Sequence, residues 1–224
     1  MKKIFALAVA AVLAVGLAVP ARAQYYEIAN QLSGLISPAL SGSMQYRGFV
    51  EASGLAGMGK NRANFLGVST SQGFQYSSWF FMGVGMGIDV AMANQDDRYG
   101  EWAPDEWNYG GTAKTKCMIP VFTDFRFRIG NDTSVSAYID LKLGAAWLLG
   151  DDDLMMKTAY MSNETQFYFR PSIGVRIPIN SQNPKQAVNV GLTYQLLTSN
   201  NNYTYWHDNS VTLNNLGLTV GFEW

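Results

Sequence analysis

The last nine residues of the chain alternate strictly between apolar and small or polar side chains, which limits the possible folds more than any other feature. The apolar positions are Leu216, Leu218, Val220, Phe222 and Trp224, and the positions between them are Gly217, Thr219, Gly221 and Glu223. Successive side chains of a strand point to opposite faces. A strand that is apolar on one face up to its last residue is typical of the closing strand of a β-barrel whose outside faces lipid.

Seven further segments show the same period of two, each bounded by Gly, Asn, Asp, Ser or Pro. They cover about 46–53, 64–75, 79–91, 118–129, 134–148, 166–177 and 187–197. The first two are weakly patterned, and Gln72 falls on the apolar face of the second, so the sequence does not fix their register. The eight segments predict an all-β fold, an eight-stranded antiparallel transmembrane up-and-down β-barrel.

The lengths of the connections give a second signal. The links after strands two, four and six are short (76–78, 130–133, 178–185), and those after strands three, five and seven are long (92–117, 149–165, 198–212). The link at 54–63 is of moderate length. Short periplasmic turns and longer extracellular loops are typical of outer-membrane barrels. The pattern therefore predicts a bacterial outer-membrane location with both termini in the periplasm.

A soluble lipocalin-like barrel would show the same alternation with its apolar face inside. Aromatic residues near the ends of the apolar faces favour the membrane interpretation, because they match two interfacial girdles. They are Trp147, Phe167 and Tyr194 at the outer end and Phe74, Phe80, Phe127 and Trp224 at the inner end.

The N-terminal residues predict export. Lys2 and Lys3 precede an apolar stretch over 4–19 and an Ala-x-Ala site at 21–23, so we expect a signal peptide, 1–23, cleaved after Ala23. An uncleaved anchor is disfavoured because the apolar run is short of the ~18 residues that a spanning helix needs. We expect residues 24–42 to be a short periplasmic segment, either a helix, as its apolar spacing indicates, or a partly ordered leader, and 43–224 to form the barrel.

Charged residues lie on the predicted inward faces. They are Arg47, Glu51, Asp89, Asp124, Arg126, Arg128, Asp140, Lys142, Arg170, Arg176 and Glu223. The interior of an eight-stranded barrel is just wide enough for side chains to fill, and an unpaired buried charge costs several kcal/mol. We therefore expect a lumen plugged by paired charges. The alternative is a narrow porin-like channel for ions or small solutes, for which a ring of one sign of charge would argue.

Aromatic residues also occur in two of the predicted loops, beside Asp and Asn. They are Tyr99, Trp102, Trp107 and Tyr109 in one loop and Tyr203, Tyr205 and Trp206 in another. Loops carry much of the binding function of a rigid scaffold, so these rings are candidate contacts for an extracellular glycan or protein. Packing over the barrel rim explains the same residues.

The sequence offers little for catalysis or cofactors. Cys117 is the only cysteine and His207 the only histidine, so a disulfide framework and a His-rich metal site are excluded. The carboxylates at 151–153 lack the spacing of a calcium loop. His207, Asp208 and Ser210 support a membrane-embedded hydrolase only as a distant alternative. The formal net charge is −1 before the basic signal peptide is removed, so nucleic acid is not an expected partner.

Several motifs resemble those of the small outer-membrane β-barrel proteins of Bacteroides-type bacteria, in the broad OmpA/OmpX-like porin-family group. The matching stretches are Tyr46-Arg47-Gly48-Phe49-Val50-Glu51, Ser69-Thr70-Ser71-Gln72-Gly73-Phe74-Gln75, Phe81-Met82-Gly83-Val84-Gly85-Met86-Gly87, Ile119-Pro120-Val121-Phe122-Thr123-Asp124-Phe125-Arg126 and Arg170-Pro171-Ser172-Ile173-Gly174-Val175-Arg176.

This resemblance covers nearly the whole mature chain, and it implies a barrel without a shared activity or catalytic residues. It also implies that the barrel-assembly machinery reads the last strand through Phe222 and Trp224. We expect a monomer, surrounded by outer-membrane lipid and lipopolysaccharide, that serves membrane integrity or contacts ligands through its loops. A peptidoglycan-binding domain is not expected.

Overall fold

The computed structural model describes residues 44–93, 115–150, 154–155, 160–161, 165–179, 185–201 and 209–224. Their strands are β1 (Gln45–Met58), β2 (Ala63–Gln75), β3 (Phe80–Ala93), β4 (Thr115–Ile129), β5 (Ser136–Leu149), β6 (Leu154–Met155), β7 (Tyr160–Met161), β8 (Gln166–Pro178), β9 (Ala187–Asn201) and β10 (Asn209–Glu223). None of the described segments is a helix long and apolar enough to cross a membrane.

Eight of these strands close into a barrel in the order β1-β10-β9-β8-β5-β4-β3-β2, and every neighbouring pair is antiparallel. This confirms the predicted all-β, eight-stranded up-and-down barrel. The remaining strands, β6 and β7, form a small separate sheet. We call the end of the barrel where β1 begins and β10 finishes the turn end, and the opposite end the loop end.

The structure differs from the sequence prediction mainly at the loop end. The predicted link at 54–63 is wrong, because β1 continues through Met58 and only 59–62 connect it to β2. β9 and β10 also extend towards each other, to Asn201 and from Asn209. The β6–β7 hairpin was not predicted, because strands of two residues carry no periodic signal.

The two faces of the barrel wall have opposite character. Outward side chains in the middle of the strands are aliphatic and exposed, such as Leu218 at 61 % and Leu66 at 56 %. Inward side chains are buried whether they are polar or apolar, as at Asp124 and Phe65. The uncertain register of the first two strands is resolved with Phe49 opposite Ser71. A wall of this kind buries polar groups and exposes apolar ones, the reverse of a soluble barrel.

Aromatic side chains surround the turn end on five adjacent strands and their turns. They include Tyr46, Phe74, Tyr76, Trp79, Phe80, Phe127, Phe222 and Trp224. Trp79 stacks on Phe127 at 6.0 Å between ring centroids, and Phe222 stacks on Trp224 at 6.1 Å. Towards the loop end, Trp147 lies near the end of β5 and Phe167 near the start of β8, whereas Tyr194, predicted at the outer end, lies at the middle of β9 because that strand continues to Asn201.

Two prolines, Pro120 and Pro171, lie in the interior of barrel strands, and a third, Pro178, is the last residue of β8. A proline lacks the N–H group that a strand ladder needs, and the β3–β4 pairing accordingly skips Pro120 while the β8–β9 pairing skips Pro171. The register is the same on both sides of each gap, from Met86 opposite Val121 to Asp89 opposite Met118 in the first case. The prolines therefore remove hydrogen bonds without shifting the strands.

Candidate functional site

The lumen of the barrel contains most of the buried polar groups and is the candidate site. Its charged side chains form three layers, which we name from the turn end upwards. The mouth layer contains Arg47, Arg128, Asp132, Arg176 and Glu223. The central layer contains Glu51, Asp124, Arg126, Asp140 and Lys142. The Arg170 layer contains Asp89 and Arg170.

The mouth layer is built around two carboxylates. Glu223, at the end of β10, accepts hydrogen bonds from Arg47 and from Nε of Arg176, the latter at 2.7 Å. Asp132, in the β4–β5 turn, forms salt bridges with Arg128 and, at 3.2 Å, with Nη2 of Arg47. Arg176 also donates to the Asp132 carbonyl oxygen at 3.0 Å. The turn is thereby tied across the opening to strands β1 and β8.

The central layer is a fully buried cluster. Nη2 of Arg126 lies 2.5 Å from Oε1 of Glu51 and 3.0 Å from Oδ2 of Asp140. Lys142 binds the same two carboxylates, at 2.7 Å from Oε2 of Glu51. Each cation therefore bridges both carboxylates. Coulomb attraction of this kind offsets the cost of removing the charges from water.

Neighbouring side chains complete the central layer. The guanidinium of Arg126 lies 4.0 Å from the ring centroid of Phe49 and 5.0 Å from that of Tyr138. Asp124 accepts a hydrogen bond from Oγ of Ser71 at 2.5 Å. Rings above a cation add attraction through their quadrupole.

The Arg170 layer is bound more loosely. Nη1 of Arg170 donates to the Tyr168 hydroxyl at 3.1 Å and lies 3.9 Å from Oδ1 of Asp89. Nη2 donates to Thr219 at 3.4 Å, and the Thr219 hydroxyl lies 2.7 Å from that of Thr193. The hydroxyl groups link the arginine to strands β8, β9 and β10.

The three layers together contain six cations and six carboxylates. The sequence prediction had placed six cations and five carboxylates on the inward faces, because Asp132 lies in a turn and was not assigned to the lumen. Its one sequence signal is its position four residues after Arg128. The balance is uneven between layers, since the mouth layer holds three cations against two carboxylates and the central layer holds two cations against three.

Beyond the charged layers, towards the loop end, the lumen is mainly apolar, with the buried polar side chains of Gln166 and Ser199 on the same inward faces. The cluster contains Leu55, Ala63, Phe65, Ala91, Ala93, Met118, Phe122, Ala146, Leu148, Leu154, Met161, Tyr168, Leu197, Val211 and Leu213. Phe122 and Tyr168 stack at 5.7 Å. Leu154 of β6 and Met161 of β7 are fully buried in this cluster. We call it the apolar cap, and it was not predicted from the sequence.

The remaining predicted positions lie outside the described residues. They are the signal peptide and 24–42, the loop residues Tyr99, Trp102, Trp107, Tyr109, Tyr203, Tyr205 and Trp206, the carboxylates at 151–153, and His207 with Asp208. Ser210 lies in β10. Within the described part of the chain, no group of three or more His, Cys, Asp and Glu side chains is arranged to hold a metal ion.

Phe222 and Trp224 lie where the barrel closes. Backbone hydrogen bonds join Trp224 and Gly48 in both directions, at 3.0 and 3.1 Å. A Cβ atom at Gly48 would overlap the Trp224 ring, so only glycine allows the ring to lie against β1. The last strand is therefore attached to the first by both ladder bonds and aromatic packing.

No protein-family model and no curated protein matches the chain. Among solved structures it is similar to Neisserial surface protein A, with 12 % identity, a TM-score of 0.48, and coverage of 80 % of this chain and 95 % of that one. It is also similar to the outer membrane enzyme PagL, with 13 % identity, a TM-score of 0.46, and coverage of 77 % and 97 %. For the N-terminal β-barrel domain of Pseudomonas aeruginosa OprF, the identity is 11 %, the TM-score 0.44 and the coverage 81 % and 99 %.

Proposed function

We propose that the protein is a bacterial outer-membrane barrel whose lumen is plugged, and that it acts as a structural scaffold that presents its loops to the outside. The observation that carries this proposal is the filling of the lumen. Paired charges occupy its turn end and middle, and the apolar cap occupies the loop end.

The outward face supports a membrane location. The barrel strands have 13 to 15 residues, more than the roughly 9–11 that a tilted strand needs to span the hydrocarbon region. A barrel that exposes aliphatic side chains at this density, such as Ile173 and Leu192, would aggregate in water. The aromatic residues at both ends match interfacial girdles. The turn end would face the periplasm.

The same arrangement argues against conduction. A pore needs a continuous path lined by groups that water can solvate. Arg126 and Lys142 each bridge two carboxylates across the lumen, and opening such a path would break those contacts. We therefore propose a barrel that does not conduct ions, rather than the narrow channel that was the alternative from the sequence.

The expected partners follow from this location. Lipid and lipopolysaccharide would surround the exposed aliphatic band, and the barrel-assembly machinery would read Phe222 and Trp224. An extracellular glycan or protein would contact the aromatic loops. We propose a monomer without enzymatic activity or a nucleic-acid partner. Its role would be membrane integrity or ligand contact.

Cysteine labelling in intact cells tests the location and orientation. In a Cys117→Ser background, Lys60→Cys places a thiol in the exposed turn at the loop end, and Thr133→Cys places one in the exposed turn at the other end. A membrane-impermeant maleimide should label the first variant in intact cells and the second only after permeabilisation. Reversed labelling, or recovery of the protein outside the outer-membrane fraction, would contradict the proposal.

A further inference from the structure

The central layer contains one carboxyl group more than its cations pair with. Arg126 and Lys142 each form salt bridges with Glu51 and Asp140. Asp124 forms no salt bridge within the described part of the chain, although it lies directly opposite Lys142 in the β4–β5 pairing. Its carboxyl accepts a hydrogen bond from Ser71, a neutral group. Asp124 is therefore the third carboxyl of a layer whose two cations bind the other two.

The position of Asp124 makes a charge on it unfavourable. The residue has no exposed surface. An ionised carboxyl that is removed from water without a partner cation is so costly that the group normally becomes neutral instead. Asp124 therefore satisfies the usual condition for a carboxyl that keeps its proton in the folded state.

The titratable and charged groups around Asp124 come from three strands, and each has other partners. They are Glu51 on β1, Arg126 on β4, and Tyr138, Asp140 and Lys142 on β5. On β3, the residue directly opposite Asp124 is Gly83, which adds no charge. The guanidinium of Arg126 packs against the rings of Phe49 and Tyr138. Arg170, on β8, belongs to the next layer, where it contacts Tyr168 and Asp89.

Asp124 and Asp140 form a close pair of carboxyl groups. Their side chains lie within hydrogen-bonding reach of each other. Oδ1 of each is buried and has no hydrogen-bond partner among the described residues. Ionised carboxylates can only accept hydrogen bonds, whereas a protonated one can also donate. A single proton therefore turns a repulsive contact into a hydrogen bond, as in other sites where two carboxyl groups share one proton.

We propose that the central layer binds one proton, which Asp124 carries at neutral pH and donates in a hydrogen bond to Asp140. The protonated layer contains two cations and two carboxylates, so its charges balance. Release of the proton would leave an uncompensated negative charge in the middle of the lumen. The plug is therefore a proton-dependent structure, which goes beyond the scaffold role proposed above and depends only on the central layer.

Infrared spectroscopy of the refolded mature barrel in lipid vesicles detects this proton directly. A protonated carboxyl has a C=O stretching band that carboxylates lack, and isotope labelling of the aspartate carboxyl carbons assigns the band to aspartate. We expect the wild-type protein to show the band at neutral pH and Asp124→Asn to lack it. Glu223→Gln is the control, because Glu223 is also buried but is bound to Arg47 and Arg176, and this variant should keep the band.

The pH dependence of urea unfolding is a second measurement. An aspartate in the unfolded chain has lost its proton above a pH of about 3.9, whereas the folded barrel retains the proton of Asp124. Unfolding at neutral pH therefore releases one proton, and stability falls as the pH rises. The folding equilibrium constant of the wild-type protein should decrease about tenfold for each unit of pH, relative to that of Asp124→Asn.

Three results would overturn the proposal. They are the absence of the band from the wild-type protein at neutral pH, its persistence in Asp124→Asn, and the same pH dependence of unfolding in both proteins. The first would show that Asp124 is ionised, and the second that another aspartate carries the proton. The spectrum of the labelled wild-type protein needs no variant, so it decides the matter even if Asp124→Asn does not fold.

Discussion

Replacing Arg126 by methionine removes the cation that stands at the centre of the lumen. The Arg126 guanidinium bridges Glu51 at 2.5 Å and Asp140 at 3.0 Å and lies 4.0 Å from the ring of Phe49. Methionine keeps an unbranched apolar side chain in the same space. The variant therefore removes the charge and leaves two buried carboxylates with one fewer cation.

The expected loss of stability follows from these contacts. Removing one partner of a buried ion pair costs about 3–5 kcal/mol. Lys142 remains bound to both Glu51 and Asp140, so we expect the lower limit, about 3 kcal/mol, or roughly a hundredfold in the folding equilibrium. Adding Glu51→Gln restores the charge balance of the cluster and should recover about 1 kcal/mol or more.

Urea unfolding of the refolded barrel in lipid vesicles measures this loss, with tryptophan fluorescence as the signal. Lys60→Met is the control, because it removes a cation from an exposed turn and should change the stability by less than about 0.5 kcal/mol. If Arg126→Met were as stable as Lys60→Met, the central carboxylates would have to be hydrated. The account of a dry, cross-linked lumen would then be wrong.

Three further predictions concern other parts of the barrel. Leu218→Arg, on the outward face of β10, should destabilise the folded barrel in vesicles by about 2–4 kcal/mol, and an effect below 0.5 kcal/mol would show that this face does not contact lipid. Met118→Ala, in the apolar cap, should lower the free energy of unfolding by about 2–5 kcal/mol; an unchanged urea midpoint would mean that the cap is not packed. Gly48→Val should displace the Trp224 ring and slow folding into vesicles, which the gel-mobility shift follows. The control, Gly54→Val, lies on the same face of β1, where a Cβ atom meets only the end of Leu66 at 3.5 Å, and it should fold at the normal rate.

The alternation of side chains was sufficient to predict the eight strands and which of their faces is apolar. The period of two is unambiguous in strands such as β3, where Met86 and Ile88 point outward and Asp89 points inward. Register in β1 and β2 was not predictable, because small residues on β1 and Gln72 on β2 weaken the contrast between the faces. The pairing of Phe49 with Ser71 comes from contacts between strands.

The apolar cap was missed because alternation carries no information once both faces become apolar. Consecutive apolar residues at 147–149 and 196–197 mark the place where the lumen changes from charged to apolar. These residues lie at the ends of the predicted strands 134–148 and 187–197. Leu154 and Met161 complete the cap from a hairpin too short to show a period.

The candidate site was predicted residue by residue except for its sixth carboxylate. Inward positions of regular strands can be read from the period, and these supplied Arg126, Asp140 and Lys142. A turn has no period, so the contribution of Asp132 to the mouth layer required the geometry of the folded chain.

Single-channel recording of the refolded mature protein in a planar bilayer tests the central claim of a plugged lumen most directly. Folding must first be established by the gel-mobility shift. The account predicts no discrete conductance steps from the wild-type protein. Stable, reproducible steps that disappear when Arg126 or Asp124 is neutralised would show that ions pass through the central layer, and would contradict the account.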